Sequence, residues 1–402
     1  MEKVKSGLSR RLQAQDIGLP VLTSGNIQNN SLVTDDLKYW YTIDPQGANT
    51  ENYVLDDGDI LLCFINSLSQ IGKPCVFRDI GRPVIYTTNI FRIVVGKLCV
   101  PEFLYYLFST TDFQDALQLI VKPAINQSSF TKTDFLRICV PFPPEESEQR
   151  AIAAALSDVD ALLAKLDQLI AKKRDLKQAT MQQLLTGQTR LPGFSGAWEV
   201  KRLGDVAQLK NGYAFQSATY TDLGKYKVIT IANVQDGYMT VDECNMVVAL
   251  PQDIQQHQRL GRNDILISMT GNVGRVCRVV ADDCLLNQRV GKLVPIGIED
   301  EFLFELLTQR KFLVSMGMKA KGGAQGNLSK PDITDFEILV PGDVAEQTAI
   351  ATVLSDMDAE LAALEARRDK TRALKQGMMQ ELLTGRIRLV WPPNPTAGEL
   401  TP

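Results

Sequence analysis

Apolar residues recur with one spacing along two stretches of the chain. In residues 148–191, Ile152, Leu156, Val159, Leu163 and Leu166 step by 4, 3, 4 and 3 positions, and in residues 346–389 Ile350, Leu354, Met357, Leu361 and Leu364 repeat those steps. Alternating steps of three and four keep side chains on one helix face and mark a coiled-coil seam. Aligned without a gap, the stretches are identical at 26 of 44 positions, so they are an internal repeat. Pro143-Pro144 and Pro341-Gly342 precede them, Asp343 to Glu346 reads as a capping box, and Gly187 and Gly385 close them as helix C-terminal glycines do. Each stretch predicts a rod of about 60 Å. Neither rod can bury its stripe alone, so the two are expected to pair.

The remaining segments also match each other, more faintly. Val21–Ile27 aligns with Val228–Val234, Asp59–Leu62 with Asp264–Ile267, Glu102–Phe113 with Glu301–Phe312, and Thr133–Pro141 with Thr334–Pro341. Short β-rich runs at 60–65, 84–95, 226–234, 264–269 and 276–280, separated by Gly, Asn and Asp turns, and helices near 102–119 and 301–316 predict an α+β unit used twice. The expected boundaries are 1–144, a helix over 145–189, 190–342, a second helix over 343–386 and a tail 387–402. That order predicts antiparallel helices with the globular units at opposite ends, a spacer suited to a two-part target. The copies differ at one end. Trp198 to Val206 opens the second unit, whereas the first starts where Val4-Lys5-Ser6-Gly7 matches Leu209-Lys210-Asn211-Gly212. The tail, with Trp391, is expected to return to that neighbourhood and partly stand in for the missing strand.

Composition narrows the class. With 45% hydrophobic and 22% charged residues in 402, the chain is globular, and no apolar run approaches 18 residues. Neither a membrane span nor a signal peptide is expected. Seven cysteines without a C-x-x-C pair fit a reducing cytoplasm and buried thiols. Catalytic signatures are missing: no phosphate-binding G-x-x-x-x-G-K-[ST] loop, no dinucleotide fingerprint and no metal-ligand spacing. The single histidine, His257, reads as a solvated loop residue, Gly271 to Arg275 as a hairpin turn, and Asp56, Asp57 and Asp59 as a solvated turn.

Net charge is −4, which argues weakly against a polyanion-binding protein, but the distribution tells more. Residues 306–331 carry Arg310, Lys311, Lys319, Lys321 and Lys330 and no acid at all, ending in a loop of small, amide and cationic residues. Such a loop suits phosphate contact through backbone N–H and base-edge reading by Gln325 and Asn327. Residues 60–101 hold Lys73, Arg78, Arg82, Arg92 and Lys97 against the acid Asp79, and the loop from Asn126 to Lys132 matches in the first unit. A solvated face remains open for either patch alone; two copies tip the balance towards nucleic acid. Candidate DNA-binding residues are thus Lys73, Arg78, Arg82, Gln127, Ser129, Lys132, Asn272, Arg275, Arg289, Lys319, Lys321, Gln325, Asn327 and Lys330. The acids lie largely on the helices, which suggests that these face protein.

The twin E-Q-x-x-I…L-S-x-x-D…L-L-T-G helices, each after a V-P segment, and the G-x-x-Q/N-x-S loops before them resemble the DNA-specificity subunit of type I restriction–modification enzymes. The resemblance implies two pseudo-symmetric target-recognition domains, each reading half of a bipartite double-stranded DNA site, separated by an antiparallel coiled coil of two long helices. It also implies two methyltransferase subunits bound by the helices, restriction subunits joining the complex, and S-adenosylmethionine, ATP and Mg on those partners, leaving this chain non-catalytic. Partner contacts are then expected at Glu148, Gln149, Ile152, Asp158, Glu346, Gln347, Ile350 and Asp356; identity in both copies also fits residues that only preserve the seam. The alternative reading is an architectural DNA-binding protein without enzyme partners.

Overall fold

The structure, a computed structural model, describes residues 3–28, 30–124, 127–320 and 326–389. The expected positions Lys321 and Gln325, and Asn126 and Trp391 with them, lie outside the described residues. The chain divides into two compact units, residues 1–167 with 366–402 and residues 168–365.

In the first unit, strand Lys3–Ser6 pairs antiparallel with Ile90–Val94, which pairs with Ile60–Cys63, which pairs with Pro74–Val76. Alternation puts Ile60 and Leu62 in one core with Phe91 and Ile93, and Leu61 and Cys63 in another with Cys75 and Phe77. A second sheet joins Lys38–Tyr41, Gly18–Leu22 and Ile85–Tyr86. The second unit repeats the plan. Its first sheet runs Ala207–Asn211, Val290–Pro295, Ile265–Ser268 and Val276–Arg278, and its second runs Asn245–Val247, Tyr226–Ile229, Cys284–Leu286 and Arg259–Leu260.

Details repeat as well. Thr23 and Thr230 each donate through N–H and hydroxyl to the amide oxygen of the asparagine three residues on, Asn26 or Asn233. Gly7 and Gly212 lie so close to the crossing backbone that an added Cβ would fall 2.0 Å from Tyr86 O or 2.1 Å from Asn287 O. The helices expected near 102–119 and 301–316 each break in two, into Pro101–Phe108 and Thr111–Gln118, and into Asp300–Leu307 and Arg310–Lys319. Thr110 starts the second helix of the first pair by capping Phe113 N–H.

The long helices run Glu146–Leu184 and Val344–Leu382, 39 residues each. Within the first unit, Lys375 pairs with Asp160 at 2.6 Å and Arg372 with Asp167 at 3.4 Å, so the second helix descends as the first ascends. Within the second unit the same direction is set by Lys177 with Asp358 at 2.6 Å and Lys173 with Glu360 at 2.7 Å. Asp160, Asp167, Asp358, Glu360 and Glu365 are thus matched by cations of the facing helix. Asp343 caps its helix by accepting Ala345 N–H at 2.8 Å, but the reciprocal half of the expected box is missing, because the Glu346 carboxylate takes a guanidinium instead.

Candidate nucleic-acid interface

The end of each first sheet carries a small additional ladder that joins two loops. In the second unit Thr270 and Gly271 pair with Asn327 and Gly326, and Leu328 N–H reaches Met269 O at 2.9 Å. Met269 N–H in turn donates to Arg289 O at 3.0 Å. The Gly271–Arg275 turn does link two strands, as a hairpin turn would, and Ser268 shapes it: its hydroxyl donates to Asn272 O at 2.6 Å and accepts from Arg275 N–H at 3.0 Å. Asn272, Arg275, Arg289 and Asn327 are thereby gathered along one loop edge. Arg275 is aimed by Gln235, whose amide oxygen accepts its Nη1 at 2.7 Å. Nothing in the sequence around Gln235 marks it for this role; only its distance to Arg275 in the fold does.

The first unit builds the same edge. Ile65 and Asn66 pair with Ser129 and Ser128, and Lys122 exchanges backbone hydrogen bonds with Ser129 at 2.7 and 3.1 Å. Asn89, the counterpart of Arg289, accepts Phe64 N–H at 3.0 Å. Gln127 is exposed on this edge and Ser129 half-buried. Amide and hydroxyl groups dominate here, cations in the second unit.

Other expected contacts are spent inside the protein. Arg78 pairs with Asp57 at 3.3 Å and Glu102 at 2.5 Å, and Arg82 pairs with Asp16 at 2.7 Å and donates to Gly18 O. Arg92, nearly buried, is held by Asp56 and Asp59 at 2.6 Å each. The sequence count set these cations against one acid; the fold delivers four more from residues 16, 56, 57 and 59, and Glu102 beside them. Asp56 and Asp57 are exposed at the turn, as expected, whereas Asp59 is buried, and burial pushes its carboxyl above the usual range despite Arg92. Lys132 donates to Val4 O at 2.7 Å, and Lys319 donates to Asp332 O at 3.0 Å beside the Phe336 ring. Lys73 is half-buried, whereas Arg289 and Lys330 are exposed and make no ion pair among the described residues.

The helix-start residues sort into two sets. Gln149 accepts Val100 N–H at 2.8 Å and donates to Leu98 O at 3.0 Å and Pro143 O at 2.9 Å. Gln347 does the same with Glu299 N–H at 2.8 Å and Pro341 O at 3.0 Å. Glu148 binds Arg388 and Glu346 binds Arg190, while Ile152 and Ile350 sit in the cores. All six side chains are at most 2% exposed, so their identity in both copies fastens each helix to its own unit. Asp158 and Asp356 alone are exposed.

His257 is half-buried at the surface, its Nε2 3.1 Å from Asn211 O. All seven cysteines are free thiols, four of them buried, and burial pushes the Cys63 and Cys277 thiols up to about 12. Among the described residues, no cluster of three His, Cys, Asp or Glu is placed to hold a metal, and no helix is long and apolar enough to cross a membrane.

Comparison with known proteins agrees with this duplicated plan. The chain is 26% identical over 403 residues to the putative type I restriction enzyme MjaX specificity subunit of Methanocaldococcus jannaschii, covering 97% of this chain and 92% of that one. It is 26% identical over 356 residues to the MjaVIII specificity subunit of the same organism, covering 84% and 80%. In fold it is similar to the crystal structure of the type I restriction–modification S subunit from M. genitalium, with a TM-score of 0.57 and 14% identity over 95% of this chain and 93% of the other. The family model described as the type I restriction modification DNA specificity domain matches twice, over residues 5–173 and 196–372, and the chain belongs to that family.

Proposed function

We propose that each unit reads one half of a bipartite double-stranded DNA target, and that the chain carries this reading to catalytic subunits rather than doing chemistry itself. The observation that supports it most is the loop edge built twice, by Thr270–Asn327 pairing in one unit and Asn66–Ser128 pairing in the other. Short ladders of this kind hold side chains on a rigid support, which base reading needs. Asn272 and Asn327 have the amide donor–acceptor pair that matches adenine, and Arg275 and Arg289 suit guanine or phosphate. The partners are two methyltransferase subunits and restriction subunits in the cytoplasm, which supply S-adenosylmethionine, ATP and Mg. Asp158 and Asp356, exposed at matching places on the two long helices, are the helix-start residues that remain available to the methyltransferases.

Because most cations of residues 60–101 are neutralised within the fold, the chain alone should bind DNA weakly, since phosphate neutralisation dominates affinity. An architectural protein acting alone would need the opposite. Gel-shift titration of the purified chain, with and without a co-expressed methyltransferase subunit, tests the reading: specific binding is expected only with the partner. Nanomolar specific binding by the chain alone at physiological salt would overturn it.

A further inference from the structure

In the second unit, residues 198–206 close the body of the fold. Trp198–Arg202 forms a full antiparallel ladder with Glu337–Pro341, Leu203 N–H donates to Phe336 O at 2.7 Å, and Val206 O accepts Ile296 N–H at 2.7 Å. Leu203 and Val206 are buried, and the Trp198 ring lies on Gly187, 3.3 Å from where a Cβ would stand. In the first unit the matching backbone at 137–141 joins no strand among the described residues. Beside it lies an apolar groove of about 410 Å³ lined by Phe108, Phe113, Phe135, Ile138, Val140 and Phe142. Phe142 is 41% exposed, and among the described residues nothing lies within 4 Å of where a Cβ of Gly385, the counterpart of Gly187, would stand.

We infer that this groove is the docking site of the chain's own C-terminal segment, residues 390–402. Two facts point to this occupant. The first is where that segment begins: Arg388 binds Glu148 just as Arg190 binds Glu346, so the chain leaves Arg388 at the place from which, in the second unit, it runs on to Trp198. The second is spacing: counted from the clasping arginine, residues 396–400 stand where Trp198–Arg202 stand after Arg190. In that register Thr396–Leu400, a stretch free of proline, falls opposite residues 137–141 as an added strand, and Trp391 is the ring available to cover Gly385.

The register makes the test specific. Val200 pairs with Leu339, so Gly398 falls opposite Cys139, an exposed free thiol. Directly opposed residues of an antiparallel pair have Cβ atoms close enough for a disulfide. Mild oxidation of Gly398→Cys in the full chain is expected to give an intramolecular 139–398 disulfide by peptide mapping, absent when Cys139→Ser is added. Deletion of residues 390–402 is expected to lower the melting temperature by about 3 °C or more, and Trp391→Ala to remove a blue-shifted component of the tryptophan emission. A Gly398→Cys cross-link that joins two chains would overturn the inference. So would the lack of any cross-link together with an unchanged melting temperature on deletion.

Discussion

Arg190 clasps Glu346 through two nearly parallel hydrogen bonds, Nε to Oε1 at 2.6 Å and Nη2 to Oε2 at 2.5 Å. The carboxylate is 1% exposed, and the guanidinium also donates to Gly196 O at 2.6 Å. Glu148 and Arg388 repeat the clasp in the first unit, with Nη2 to Oε2 at 2.6 Å. In each unit, then, the residue just past the end of one long helix holds the start of the other. A buried pair of this geometry stabilises little over an apolar pair, but losing one partner strands a charge. Arg190→Ala is expected to cost about 3–5 kcal/mol of unfolding free energy. The double variant Arg190→Met with Glu346→Leu should recover most of it in the same denaturant titration. Equal losses in the single and double variants would show that the fork contributes by shape rather than by charge.

The glutamine beside each glutamate fastens the helix start to the body of its unit. Gln149→Ala leaves Val100 N–H and two carbonyls without partners, and Gln347→Ala leaves Glu299 N–H and Pro341 O. Each should cost about 2–3 kcal/mol, the range for buried groups left unsatisfied. Hydrogen exchange at Val100 and Glu299 is the local readout, and exchange should rise at the amide whose acceptor is removed.

Glu305 predicts a pH dependence. Burial pushes its carboxyl up to about 7, with Lys177 opposing and Asp358 and Glu301 reinforcing the shift. Between the ordinary carboxylate value and about 7, the folded chain holds a proton that the unfolded chain has lost. Stability is therefore fully present below that window and declines as pH rises through it. Glu305→Gln should flatten this slope, being more stable than the parent at pH 8 and equal to it near pH 5. Thermal melts across that range check the sign. Tyr106 occupies the matching place in the first unit and donates to Asp160 at 2.8 Å, beside Lys375, so the first unit uses a neutral group where the second uses a titrating one.

Cations should divide by their partners. Arg289→Ala and Lys330→Ala are expected to weaken binding to every DNA sequence and to lower the salt slope by roughly one unit each. Arg78→Ala and Arg82→Ala should leave that slope unchanged, because their charge is already matched by Asp57, Glu102 and Asp16. Salt titrations of the assembled complex distinguish the pairs.

The helices, the repeat and the α+β units were legible because each leaves a local signature: a period, a glycine stop, an alternating run. Charge was not legible in the same way. Asp16 lies far along the chain from Arg82, and no window of sequence shows them as partners. The helix-start residues were visible as a pattern but ambiguous in meaning, since Gln149 and Gln347 find their hydrogen-bond partners about fifty residues upstream as well as nearby. The loop edges were half legible. Gln127, Ser129, Asn272 and Asn327 stood out by composition, but a two-residue ladder has no period, so nothing announced that residue 270 meets residue 327.

Asn272 and Asn327 carry the most direct test of two-part reading. Genome-wide methylation mapping in cells carrying the chain with its methyltransferase, compared with cells carrying Asn272→Ala and Asn327→Ala together, reads the target itself. The parent should give a motif of two specified halves, and the variant should relax one half by about 1–3 kcal/mol at a base pair while the other half persists unchanged. A continuous motif in the parent, or a variant that alters both halves together, would contradict the account.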